Sequence, residues 1–159
     1  MRLSYGITVH NEHEELNHLL EVLIHNTDPE DEIVIVDDFS NQETQDVIAS
    51  WVQQYGHREG PYKPIRVFQR KLDGDFAAHK NFVIEQSSGD YIFHIDADEY
   101  PNVILLQQIK QILEINNTDL IWVPRVNTVD GITEEHIKQW GWNLTEQGWV
   151  NYPDYQSRI

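Results

Sequence analysis

Two carboxylates one residue apart, Asp96 and Asp98, close the apolar run Tyr91-Ile92-Phe93-His94-Ile95. On an extended strand, residues i and i+2 share a face. Carboxylates so placed repel each other unless a cation lies near them. All-oxygen donors suit Mg²⁺ or Mn²⁺, and two of them cannot fill an octahedral shell, so phosphate oxygens and water would complete it. The same pair also suits a solvated acidic turn that caps the helix starting at Val103.

A second acidic pair, Asp37-Asp38, follows Ile33-Val34-Ile35-Val36. Its carboxylates could recognise a base or ribose, or Asp38 or Ser40 could be the N-cap of a helix beginning near Thr44. Thr8-Val9-His10-Asn11-Glu12 follows the first apolar run, and Arg70-Lys71 and Asp73-Gly74-Asp75 follow the third. The stretch Asp75-Phe76-Ala77-Ala78-His79-Lys80-Asn81 opens a helix. Small residues let a ligand approach its start, helix N-termini favour phosphate, and Lys80 adds positive charge. The plainer alternative is an amphipathic helix with Phe76 and Phe82 in the core and His79 on the surface.

These groups need a frame, and the first two-thirds of the chain alternates strand and helix patterns. Strands are expected over 3–10, 33–36, 65–68, 91–95 and 120–123. Helices are expected over 14–25, 44–55, 76–86 and 103–115, with a loop over 56–64. Leu16, Leu19, Leu20 and Leu23 form one helix face; Val47, Ile48, Trp51, Val52 and Tyr55 form another. The pattern implies an α/β domain with a mainly parallel sheet and right-handed crossovers. Ligands bind such sheets beyond the carboxyl ends of the strands, where these acidic and polar groups recur. After Arg125 the periodicity fails, and Trp140, Trp142, Trp149, Tyr152 and Tyr155 crowd the end.

The chain has 159 residues and 40% hydrophobic content, enough for one core, and residues 1–159 read as a single domain. A net charge of −16 without a basic stripe excludes nucleic acid as a direct partner. No apolar run reaches the roughly 20 residues of a membrane span, and the N-terminus lacks signal-peptide zones. With no cysteine, disulfides and thiolate metal sites are excluded, and a cytoplasmic location is expected. Exposed tryptophan near the C-terminal end would mark a homo-oligomeric contact.

Taken in order, the segments Gly6 to Glu12, Val34 to Ser40, Ala77 to Asn81 and Gly89 to Glu99 resemble inverting glycosyltransferases of family 2, with the GT-A fold. Asp75 to Asn81, Ile95 to Glu99 and Pro153-Asp154-Tyr155-Gln156-Ser157-Arg158-Ile159 are most similar to the lipopolysaccharide-core subgroup. The resemblance implies metal-dependent transfer of a hexose from a nucleotide-sugar, UDP-glucose or UDP-galactose first, to a saccharide or lipid-linked acceptor. It places Thr8, His10 and Asp38 around the nucleobase and ribose, with Asn11, Glu12, Asp37 and Ala97 alongside, and Lys71 and Lys80 near the diphosphate. Asp98 would ligate Mn²⁺ or Mg²⁺ directly, and Asp96 would approach the metal or the ribose. Asp154 is the candidate catalytic base, with Glu134 and Glu135 as rivals. Residues 1–100 would form the donor half and 101–159 a minimal or truncated acceptor half. His79-Lys80 departs from the common Gln-Arg, and lysine lacks arginine's bidentate fork.

The alternatives are a nucleotide-sugar-binding module without turnover and a Mg²⁺-dependent D-x-D phosphatase with Asp96 as nucleophile. The phosphatase needs a second downstream acidic motif, which is not found. A receiver-like domain needs its acidic pair after the first strand, and here the pair follows the second.

Overall fold

The computed structural model describes residues 1–56 and 64–159. Most of the expected 56–64 loop therefore lies outside the described residues. The chain divides into two compact units, Met1–Thr118 and Asp119–Ile159.

The first unit is built on four strands, β1 (Leu3–Val9), β2 (Glu32–Asp37), β3 (Ile65–Gln69) and β4 (Tyr91–Asp96). All neighbours pair in parallel, in the order β3-β2-β1-β4. β2 is buried along its whole length, which explains its unbroken apolar run. Four helices connect and follow the strands: α1 (His13–Asn26), α2 (Gln42–Tyr55), α3 (Phe76–Gln86) and α4 (Val103–Asn116). Leu16, Leu19, Leu20 and Leu23 of α1 are all buried, as their spacing predicts.

The chain first moves outward, from β1 to β2 to β3, and then returns to place β4 on the other side of β1. Right-handed crossovers then put α3 on the sheet face opposite α1. Gly6 of β1 shows how tightly α3 packs there: a Cβ at this position would run into Cγ1 of Val83. This close approach carries the start of α3 to the carboxyl edge of the sheet.

Loop amides continue the sheet's hydrogen bonds past its edge. Asp38 N–H donates to Val9 O (3.0 Å), Arg70 N–H to Asp37 O (3.0 Å) and Ala97 N–H to Thr8 O (3.1 Å).

Charged groups tie down the opposite edge. Glu32, fully buried, accepts hydrogen bonds from Ser4 Oγ (2.6 Å) and from Ser88 N–H and Oγ, with Arg2 and Arg66 each at 3.3 Å. Burial alone would raise its pKa, but the hydrogen bonds from Ser4 and Ser88 and the charge of Arg2 outweigh it and leave Glu32 low. A carboxylate whose folded pKa lies below its unfolded value stabilises the fold above the unfolded pKa, about 4.3. That contribution is lost as the pH falls further, through the folded value. Glu32→Gln is therefore expected to lower the urea midpoint most near pH 7. The gap from wild type should close as the pH approaches 3; a constant gap would show that the charge is not what Glu32 contributes.

The second unit contains β5 (Trp122–Arg125), α5 (Glu134–Trp140) and β6 (Asp154–Ser157). β5 and β6 form an antiparallel pair separate from the parallel sheet. The expected fifth strand over 120–123 thus begins two residues later and does not join the main sheet. α5 was not legible as a helix, because none of its residues is buried and it carries no apolar stripe. It is defined by its ends: a capping box between Thr133 and His136, and left-handed Gly141 at φ 64°. None of the described helices is long and apolar enough to cross a membrane.

Candidate active site

The reversal in strand order places a crevice beyond the carboxyl ends of β1 and β4. A cavity of about 240 Å³ lies there, lined by residues that include Thr8, His10, Glu12, Asp38, Lys80 and Asp96. All six were expected from the sequence. Parallel pairing sets Thr8 beside Asp96, and Thr8 Oγ1 donates to Asp96 Oδ1 at 2.9 Å. Lys80, from α3, places its ammonium on the same oxygen. A helix lysine and two strand residues thus meet at one carboxylate oxygen.

His10 is held by its surroundings. Its Nδ1 lies 2.7 Å from Asp38 O and 3.7 Å from Asp38 Oδ2. Asp38 Oδ1 accepts the Leu72 N–H at 2.9 Å, so this carboxylate joins the loops after β2 and β3. Glu12 Oε2 accepts the His10 N–H at 3.3 Å. Burial raises the Glu12 pKa, and Asp98, Glu15 and Asp96 raise it further against that hydrogen bond. Glu12, Asp96 and Asp98 therefore share one region of negative potential.

Other expected residues have supporting positions and do not line the cavity. Asp37 is buried; its Oδ1 accepts Ser40 N–H (3.0 Å) and its Oδ2 accepts Gln69 Nε2–H (3.2 Å). Asn11 has φ 58°; its N–H donates to Ser40 Oγ (3.0 Å) and its Oδ1 accepts Asn41 N–H (2.7 Å). Ala97 is fully buried. Lys71 is exposed, with Nζ 3.3 Å from Asp73. Neither expected N-cap is used in α2: the cap is Asn41, which accepts the Thr44 N–H. Asp38 and Ser40 are unavailable for capping because their side chains bind Leu72 and Asn11.

The D-x-D pair departs from strand geometry. β4 ends at Asp96, whose carbonyl accepts the Glu99 N–H (2.9 Å) in a turn, and Asp98 lies in that turn, exposed. The shared-face argument therefore stops at Asp96. The helix that follows is capped by Asn102, so neither aspartate is its N-cap.

Two aromatic residues of α3 also differ from the plain amphipathic expectation. Phe76 is 68% exposed and lines the cavity, and His79 is only 5% exposed. Arg70 Nη1 lies 3.2 Å from His79 Nδ1. Burial lowers the His79 pKa and the Arg70 charge lowers it further, against the opposing pull of Asp38. This pair was missed because no sequence spacing joins the loop after β3 to a position one turn into α3.

Among the described residues no three His, Asp or Glu side chains gather as a complete metal site. Mg²⁺-type ions are commonly held by one or two carboxylates plus substrate phosphate, so the oxygen-only set of Asp96 and Asp98 fits such an ion.

In the second unit, a cavity of about 410 Å³ is lined by Arg125, Asn127, Trp142, Asn151, Asp154 and Tyr155, among others. Asp154 Oδ2 accepts from Arg125 Nε (3.0 Å) and Asn127 Nδ2 (3.0 Å), and Gln156 donates to its Oδ1 (2.8 Å). Hydrogen bonds from Asn127 and Arg125 hold its pKa below the usual carboxylate range. Glu134 and Glu135 occupy the first turn of α5, where they complement the helix dipole.

The model of the family described as Glycosyl transferase family 2 matches residues 4–156. The chain belongs to that family. It is 28% identical over 103 residues to the poly(ribitol-phosphate) beta-glucosyltransferase of Bacillus spizizenii, covering 63% of this chain and 15% of that protein. It is 24% identical over 132 residues to the SPbeta prophage-derived glycosyltransferase SunS of Bacillus subtilis, covering 81% and 28%. The chain thus spans less than a third of the length of these curated relatives. The structure of S. aureus TarS 1-349 in complex with UDP-GlcNAc superposes with a TM-score of 0.67 at 21% identity, over 84% of this chain and 36% of TarS. That likeness establishes the shared α/β fold with a central parallel sheet.

Proposed function

We propose that this chain is a glycosyltransferase that moves a hexose from a UDP-sugar to an acceptor hydroxyl with inversion at the anomeric carbon. The observation that carries the reading is the crevice at the reversal of strand order, where Thr8, His10, Asp38, Lys80 and Asp96 converge. Neighbours solved with UDP and with UDP-GlcNAc support a uridine donor. The glucosyltransferase among the relatives makes UDP-glucose the first sugar to try, with UDP-galactose next. The acceptor is proposed to be a saccharide or a lipid-linked glycan, in keeping with the resemblance to lipopolysaccharide-core enzymes.

Asp98, with Asp96 beside it, would hold Mn²⁺ or Mg²⁺. The cation would supply charge stabilisation for the departing diphosphate. Lys80 balances the Asp96 carboxylate and brings a further positive charge to a strongly acidic chain. Calorimetric titration of UDP with Mn²⁺ and then with EDTA tests the assignment. Binding that requires the metal supports it; no binding of UDP under either condition removes the uridine donor.

The acceptor hydroxyl must lose a proton as it attacks, and Asp154 is the proposed base. Its bonds to Asn127 and Arg125 make it a weaker proton acceptor than an ordinary carboxylate. Asp154→Asn is expected to keep UDP affinity and slow transfer by about 10²–10⁴-fold. Full transfer by this variant would move the role to Glu134 or Glu135. A nucleotide-sugar-binding module without turnover is the second reading, favoured by the hydrogen bonds from Asn127 and Arg125 that weaken Asp154 as a base. Mass spectrometry separates the two, since release of free sugar from the donor requires a working centre.

A further inference from the structure

The orientation of His79 has a consequence for which nucleobase the crevice accepts. Arginine is always protonated and only donates, so His79 Nδ1 facing Arg70 Nη1 must carry a lone pair. A neutral imidazole then has its proton on Nε2. Among the described residues Arg70 is the only hydrogen-bond partner of the His79 side chain, which leaves the Nε2–H for a ligand in the cavity it lines. Arg70 has further contacts. Its N–H donates to Asp37 O, its Nη1 donates to Lys71 O at 3.3 Å, and its guanidinium lies 5.7 Å over the Phe82 ring. The tautomer is therefore set by a neighbour whose guanidinium has contacts of its own.

Asp38 lines the same cavity and is close enough to act on His79 electrostatically. Its carboxylate only accepts, whereas His79 Nε2–H donates. A ligand edge complementary to both presents a carbonyl next to an N–H. Uracil and guanine carry that edge. Cytosine puts an amine where the carbonyl would be and a lone pair where the N–H would be, so it opposes both groups.

Resting on the uridine-donor reading above, we propose that His79, in the tautomer imposed by Arg70, is a specificity-determining residue that reads a nucleobase carbonyl and excludes cytosine. A glutamine here would present an amide N–H in a comparable place, with no dependence on an arginine.

The test measures binding of UDP, GDP and CDP, each with Mn²⁺, to wild type and to His79→Phe, His79→Gln and Arg70→Met. Wild type is expected to bind UDP at least about tenfold more tightly than CDP, the size of one lost polar contact. In His79→Phe, which keeps a ring but has no donor, the UDP-to-CDP ratio should fall towards one. His79→Gln should restore it, and Arg70→Met should lower it by leaving the tautomer unspecified. GDP binding in place of UDP would keep the carbonyl readout and transfer it to guanine. If His79→Phe weakens UDP and CDP equally, or leaves the ratio unchanged, His79 only shapes the cavity and the proposal fails. Wild type that binds none of the three removes the donor reading, and this proposal with it.

Discussion

Exchange of Lys110 for methionine is expected to destabilise the first unit by about 3–5 kcal/mol, the usual cost of removing one partner from a buried ion pair. Lys110 reaches from α4 to three acids, with Nζ 2.7 Å from Asp31 Oδ1, 2.7 Å from Asp28 and 3.0 Å from Glu30. Asp28 and Glu30 are exposed and contribute little by themselves. Asp31 decides the size of the effect, because it is fully buried and its Oδ1 also accepts the Leu3 N–H at 2.9 Å. Burial would lower the lysine pKa, but the hydrogen bonds to Asp28, Asp31 and Glu30 outweigh it and raise the pKa above the ordinary lysine value. Methionine keeps the stem's packing and removes the charge, leaving Asp31 without its counter-ion. Urea unfolding of the two proteins at pH 7 measures the difference, and Asp31→Asn in the Lys110→Met background should recover part of it. A loss below about 1 kcal/mol would place this lysine among ordinary surface pairs.

The second large effect separates chemistry from folding. Asp98→Ala is expected to abolish the metal dependence of UDP binding and to slow transfer by about 100-fold or more, as when one stabiliser of transition-state charge is removed. The fold should not notice. Asp98 is exposed in the turn after β4 and carries no hydrogen bond among the described residues, so the unfolding midpoint should shift within about 0.5 kcal/mol. Asp96 would be a poorer choice, because its carboxylate also holds Thr8 and Lys80 and its loss would disturb both. Titrating UDP into Asp98→Ala with Mn²⁺ and with EDTA makes the comparison. An unchanged response to the metal would remove Asp98 from the ligand set.

The parallel sheet was legible because burial on both faces forces continuous apolar runs such as Ile33–Val36, and because α1 pairs a clear leucine face with turn residues at its end. The acidic and polar groups at the carboxyl edge followed from that frame, and six of them line one cavity. Local chemistry was harder to read. Asp38 and Ser40 are both good capping residues, yet each is drawn to a partner on another loop, and capping falls to Asn41. His79 looks like a surface residue in its own helix, and only the loop after β3 shows what it binds. Beyond Arg125 the apolar residues are spread over short elements with little burial, so periodicity had nothing to report.

The loop amides that extend the central hydrogen-bond ladder give the crevice an unusual place in the protein's exchange behaviour. Substrate loops are ordinarily among the first segments to open and to trade their hydrogens with heavy water. Here the N–H groups of Asp38 and Ala97 are bound to carbonyls of β1, which has strand neighbours on both sides. Their deuterium uptake should therefore track that of the core strand, at rates set by opening of the whole first unit. The floor of the crevice is preorganised to the same degree as the sheet beneath it, and a nucleotide entering there would have little backbone entropy left to remove.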